Sequence, residues 1–332
     1  MTQTTASSWL TRLSGGQAKQ MLLAFASLIA LLLVFTLLNP DAFMTKDNII
    51  GILQSTTVIG VLAIASTFII ITSGIDLSVG VLMTFCAVMA GVFMVNLGLP
   101  MPLGIVGALL MGALSGTTAG LAITKLKVPP FIATLGMMML LKGASLIITN
   151  TRPIYFSDVE GFDQIALGSL IGDLIPSLSI PNGVLILFLV AAVCALVLNK
   201  TALGRYTFAL GSNEEAVRLS GVNVDRWKVI IYAFSGGICG IAGLLIASRL
   251  NSAQPALGQG YELDAIAAVV IGGTSLSGGV GTILGTLIGA FIMSVLINGL
   301  RIMSVAQEWQ MVLTGLIIIL AVYTDNLRRR KT

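Results

Sequence analysis

Residues 199–228 read Asn199-Lys200-Thr201-Ala202-Leu203-Gly204-Arg205-Tyr206-Thr207-Phe208-Ala209-Leu210-Gly211-Ser212-Asn213-Glu214-Glu215-Ala216-Val217-Arg218-Leu219-Ser220-Gly221-Val222-Asn223-Val224-Asp225-Arg226-Trp227-Lys228. The chain on either side is strongly apolar. Within the stretch stand five bases, Lys200, Arg205, Arg218, Arg226 and Lys228, and the adjacent acids Glu214 and Glu215. An interior polar stretch of this size, set between apolar runs, reads as a contact surface of a membrane protein for something in the cytoplasm.

Composition supports the membrane reading. Of the 332 residues, 56% are hydrophobic and only 10% charged, with a mean hydropathy of +1.00. A water-soluble chain of this length could not clothe its surface with so few charges. Lipid removes that need. The net charge of +4 comes from bases placed between apolar runs, where they set topology, so it implies no nucleic-acid partner. The absence of histidine removes Ser-His-Asp and Cys-His catalysis and the common histidine metal sites. Cys86, Cys194 and Cys239 lie far apart in apolar stretches and read as small core residues.

A crossing needs about 20 mostly apolar residues. Ten stretches qualify, at roughly 21–38, 49–72, 81–97, 103–124, 131–149, 184–198, 229–248, 263–273, 282–299 and 309–324. The sixth and eighth are short, and the eighth could be broken or re-entrant. Such backbone is tolerated only inside protein or beside a water-filled cavity. With the N-terminus in the cytoplasm, thirteen of the eighteen Lys and Arg fall on the inner side and four outside. Lys142 lies within a span, where snorkelling to the outer interface is the simplest reading. The positive-inside rule therefore places both termini inside. The expected organisation is an all-α polytopic domain over residues 21–324 with its cytoplasmic coupling loop at 199–228. A cytoplasmic N-terminal tail (1–20) and a basic C-terminal tail (325–332) flank it.

Small residues four apart (Gly112, Gly116 and Gly120; Gly236 and Gly240; Gly285 and Gly289) mark close helix approach, most simply within one subunit. The segment from Gly74 to Gly80 resembles that from Gly273 to Gly279, with Gly, Leu, Ser and Gly at matching offsets. Transporters often arise by duplication, so this is a candidate internal repeat, and the ten-span count places both copies on the inner side. The longest outer segment, from Asn150 to about Gly183, carries Arg152, Asp158, Glu160, Asp163 and Asp173. It fits either a docking surface or a solvated connector.

Few residues suit chemistry. Asp76, near Ser73 and Ser78, is a pathway or gate residue or a helix cap. Glu262 and Asp264 are either polar groups of a solute path or a helix start. No nucleophile or metal ligand accompanies them to make an acid/base pair. No Gly-x-x-x-x-Gly-Lys-Ser/Thr loop is present, so ATP bound in that manner would need another polypeptide.

Against this background Glu215-Ala216-Val217, with Gly221 six residues after Glu215, resembles the EAA motif of ABC importer permeases. Val217 stands where the family has a second alanine, and Ala233-Phe234 replaces the closing Leu-Pro. The wider pattern is more specific. Leu203-Gly204-Arg205-Tyr206, the run from Ala209 to Glu214, the run from Arg218 to Val224, the run from Gly260 to Gly279, the run from Thr72 to Gly80, and Phe131-Ile132-Ala133-Thr134-Leu135 closely resemble the ribose-type permeases of monosaccharide ABC importers. The resemblance covers essentially the whole chain after Leu38. It implies a homodimeric permease of the bacterial inner membrane that imports ribose or a related sugar. It implies coupling through Asn213, Glu214, Glu215, Ala216, Arg218 and Gly221 to an ATPase subunit with two nucleotide-binding domains. ATP and Mg would sit on that subunit, and a periplasmic sugar-binding protein would deliver the cargo. Ser73, Asp76, Ser78, Glu262 and Asp264 would lie along the path or gate. From the residues alone two rivals stay open: an ion-coupled secondary sugar transporter dependent on Asp76 or Lys142, and a membrane-embedded enzyme, against which the missing histidine and carboxylate clusters argue.

Overall fold

A computed structural model of the chain describes residues 15–174 and 179–329. Of the expected tails at 1–20 and 325–332, residues 1–14 and 330–332 lie outside the described residues, while 15–20 begin the first helix and 325–329 end the last. The apolar runs form helices: α1 (Gly15–Leu38), α2 (Pro40–Phe43), α3 (Lys46–Ile71), α4 (Val79–Gly91), α5 (Met101–Thr124), α6 (Pro130–Ile148), α7 (Leu170–Leu174), α8 (Asn182–Lys200), α9 (Ala202–Leu219), α10 (Val224–Leu250), α11 (Tyr261–Ile271), α12 (Ile283–Ile302) and α13 (Gln307–Arg329). Local chemistry starts and stops them. Thr45 caps α3 through Asn48 N–H, and Thr282 caps α12 through Gly285 N–H. Proline occupies the first turn of α5 and α6, where its missing N–H costs nothing. Asn251, in the left-handed region at φ 48°, ends α10.

Eight helices among the described residues are long and apolar enough to cross a bilayer, α4 doing so with the π-helical turn Val92–Asn96 that extends it. The fold is that of a polytopic all-α membrane protein. The expected span at 184–198 is the middle of the 19-residue α8. That at 309–324 lies within the 23-residue α13.

α3 is the buried axis, packed against α8, α10, α11 and α12. The most extensive pairing is α5 with α10. There a Cβ on Gly112 would overlap the Gly236 carbonyl, and one on Gly236 would overlap that of Gly112. The two backbones touch, which only glycine permits. Gly116 and Gly120 continue the seam, while Gly285 and Gly289 lie against Gly272 and Ala268 between α12 and α11. Each of these spaced glycines packs within the chain.

The eighth expected span is a compound crossing. α11 has 11 residues, about 16 Å at 1.5 Å per residue, roughly half a hydrocarbon core. The other half is not helical. After α10, β2 (Ser252–Ala253) pairs antiparallel with β1 (Ile154–Tyr155), and Ile154 packs on Gly91 of α4. The chain then descends along α4. Thr84 Oγ1 donates to the Leu257 carbonyl at 2.7 Å, and Gly258 lies directly on Gly80. This descent matches 11 residues of α4, again about 16 Å. From that depth α11 completes the passage beside α12. A non-helical segment with turns at 254–257 and 258–261, followed by a half-helix, therefore replaces one continuous helix.

Lys125, Lys127 and the 199–228 stretch define a basic end of the bundle. The segment 72–78 and the loop 272–282 meet there. The Gly279 N–H donates to the Ile71 carbonyl at 2.9 Å, and Ser73 Oγ to that of Ser277 at 2.7 Å. The two copies of the candidate repeat thus lie side by side at one end. At the opposite end residues 150–174 are folded by β1 and by the stacked rings of Phe156 and Phe162, 4.1 Å apart.

Candidate functional site

The polar stretch is not one loop. α9 runs into it from Ala202 and breaks at Asn213, whose φ of −163° and ψ of 97° leave the helical region. Residues Glu214–Leu219 then form a separate short helix. Its start is set by Asn213, whose Oδ1 accepts the Ala216 N–H at 2.9 Å, an N-cap bond to the third helical residue. Its end is set by Gly221 at φ +84°, whose N–H donates to the Arg218 carbonyl.

Ion pairs fix this short helix to the bundle. Glu214 accepts from Lys228 Nζ at 2.6 Å and from Arg218 at 3.1 Å. Asp225 lies 3.9 Å from Arg218 and 3.8 Å from Lys127, which ties in the connection between α5 and α6. Tyr206 and Trp227 pack ring on ring, 4.3 Å apart. Partial burial pushes the Glu214 carboxyl up, but the hydrogen bonds and charges of Lys228 and Arg218 outweigh it and hold it below the ordinary 4.5. A depressed carboxylate contributes stability that is complete above its unfolded value and fades as pH falls through its folded one. Amide protection across residues 214–228, measured as exchange relative to the unstructured peptide at the same pH, is therefore expected to hold at pH 6 to 8 and to fall only below about pH 4.5. Glu214→Gln is expected to remove that acid transition.

Glu214 and Arg218 are thus turned to each other. Glu215, Ala216, Leu219, Ser220 and Gly221 are exposed. Leu219, which sequence reasoning did not single out, is 82% exposed at the tip of a helix otherwise tied down by charge. An apolar residue closing a polar helix was the available signal.

The base of this helix joins the core. A Cβ on Gly211 would overlap the Ile71 carbonyl and come within 2.6 Å of the Gly279 nitrogen. Two residues before the Asn213 break, α9, the end of α3 and the 272–282 loop therefore meet backbone to backbone.

The five expected path residues separate. Ser73 belongs to this junction. Asp76 accepts from the Ser78 N–H at 2.7 Å and from its hydroxyl at 2.6 Å, closing a turn just ahead of α4 rather than capping α4 itself. Both Glu262 oxygens accept the Gly260 N–H at 3.0 Å, so Glu262 secures the start of α11. Asp264 follows in the same first turn. Lys142 departs from its expected course. Instead of reaching alone toward the outer interface, its Nζ donates to Gln259 Oε1 at 2.7 Å. Among the described residues no group of three His, Cys, Asp or Glu could hold a metal ion.

Residues 48–322 match the family model described as branched-chain amino acid transport system / permease component. The chain belongs to this permease family. Among curated relatives, the ribose import permease protein RbsC of Haemophilus influenzae is 44% identical over 306 residues, 91% of this chain and 92% of the relative. RbsC of Escherichia coli K12 is 42% identical, covering 93% and 95%. The xylose transport system permease protein XylH of the same strain is 35% identical, covering 94% and 93%. No solved structure gave a significant match. The permease is thus a multi-pass protein of the bacterial inner membrane and of the ribose type within its family.

Proposed function

We propose that this permease forms the translocation path of an ATP-driven importer for ribose or a related monosaccharide. The family model names amino-acid transport, whereas relatives alike over more than nine-tenths of the chain are named for ribose and xylose. The sugar reading follows the relatives. The observation that carries the mechanism is the Asn213-capped helix with an exposed apolar tip, rooted on the inner ends of α3 and the 272–282 loop.

In this reading the basic end faces the cytoplasm, and helix 214–219 of each of two copies seats in an ATPase subunit carrying two nucleotide-binding domains. Glu215, Ala216 and Leu219 make the contact. Asn213, Glu214, Arg218 and Gly221 hold its shape. ATP and Mg are bound by the partner, and a periplasmic sugar-binding protein delivers the cargo outside. Each partner drives the cycle only by binding the outward- and inward-facing states with different affinity. Ser73, Asp76 and Ser78 would gate the path near the basic end, and Glu262 and Asp264 would flank it at the break before α11.

Vesicles containing the permease, the ATPase subunit and the binding protein test this. Ribose accumulation is expected to require ATP, to survive a protonophore, and to be lost in Glu215→Arg although the variant still inserts. Accumulation that persists without nucleotide and collapses with the protonophore would replace this reading with ion coupling.

A further inference from the structure

Two independent features meet halfway along the bundle on one face of the protomer. The first is Lys142. It lies eight residues beyond Thr134 on α6, about 12 Å farther along. Thr134 in turn hydrogen-bonds Ile75 and Leu77. Lys142 is not a member of any of the four ion pairs found among the described residues. Its partner Gln259 follows Gly258, which rests on Gly80, three residues past Leu77. The ammonium is thus held at depth by an uncharged amide. The second feature is the non-helical segment itself, residues 254–260. Pro255 and Gly258 are buried, Gly258 against Gly80 of α4, yet Ala256 and Gln259 are exposed.

A charged amine at this depth is costly against lipid. Non-helical backbone at this depth is tolerated only within protein or beside water. Both constraints apply to the same surface, and both exclude lipid from it. We infer that the face bearing Lys142, Gln259 and Ala256 lines the aqueous path, and that the Lys142–Gln259 pair donates and accepts hydrogen bonds with the hydroxyls of a polyhydroxylated cargo in transit. The ammonium supplies donors only, and the amide supplies both donors and an acceptor. Together they suit vicinal hydroxyls better than an apolar or cationic solute. This rests on the transport reading above and adds where in the bundle the cargo is handled.

Thiol accessibility tests the face without needing transport. The chain's own Cys86, Cys194 and Cys239 are buried, so introduced thiols stand out. Gln259→Cys and Ala256→Cys are expected to react with a cationic, membrane-impermeant methanethiosulfonate at least about tenfold faster than Leu140→Cys, because only the water-ionised thiolate reacts. Leu140 is 67% exposed on the apolar surface of α6. Equal, slow rates at all three positions would overturn the inference. In the vesicles, Lys142→Met is expected to lower ribose uptake about tenfold, the worth of one hydrogen bond, with Lys142→Gln keeping most of it. Unchanged uptake in Lys142→Met would overturn the role in cargo handling. Failure of the unsubstituted permease to take up ribose with ATP would instead count against the transport reading, and the labelling rates would still decide the face.

Discussion

Leu219→Asp is expected to abolish ATP-driven uptake while the permease stays folded in the membrane. Leu219 is 82% exposed, so its replacement removes no internal packing. In a docked complex the same side chain is buried, and burying a leucine is worth about 2 kcal/mol. That corresponds to roughly a 30-fold loss of affinity for the ATPase subunit. The introduced carboxylate adds a desolvation cost at the centre of the contact. Co-purification of the ATPase with the variant, set against its melting profile in detergent, measures both halves of the expectation. An unchanged melting profile with lost co-purification supports the docking role. Retained co-purification would remove Leu219 from the interface.

Gly211→Val is expected to fail in the opposite way. Its side chain would enter the space of the Ile71 carbonyl and the Gly279 nitrogen. Overpacking of this kind typically costs about 1–3 kcal/mol. Here the strain falls between the docked helix and the inner ends of α3 and the 272–282 loop, while Leu219 and Ala216 remain presented. ATPase binding is expected to persist, and uptake is expected to fall by more than ATP hydrolysis does. Gly211→Ala, with a smaller intrusion, should show the same split more weakly. Parallel loss of binding, hydrolysis and uptake would show that the junction only supports folding.

These two variants probe the ends of one mechanical connection, and the sequence revealed those ends unequally. The polar 199–228 stretch stood out because charge is rare elsewhere in the chain, whereas Gly221 entered only through the motif resemblance and its positive φ was not foreseen. The break at Asn213 was less legible. Ala202–Leu219 carries no proline, and an asparagine inside a helix pattern does not announce that its side chain has replaced a helical bond. The junction at Gly211 was invisible, because its partners Ile71 and Gly279 are about 140 and 70 residues away, and contacts of that range leave no local periodicity.

The bundle was legible wherever one apolar helix makes a whole crossing. The eighth crossing showed in the sequence only as a short stretch that could be broken, for a physical reason. Residues 251–260 are non-helical, a two-residue strand followed by two turns, and their polar groups are met in part by Thr84, Glu262 and Lys142 rather than by a helix. Hydropathy registers only the half that α11 provides. The partner of Lys142 was hidden for the same reason. Gln259 lies on the non-helical segment, so a reading that recognises only helices offers Lys142 no partner there, and snorkelling is what remains.

The most direct measurement is a cross-link. A cysteine at Ala216, exposed on helix 214–219, is joined to cysteines introduced singly around the groove of the ATPase subunit, with and without ATP. The account predicts efficient cross-links to one contiguous patch, with yields that change on adding nucleotide. No cross-link from position 216 to any ATPase position, in membranes where ribose is still accumulated with ATP, would contradict it.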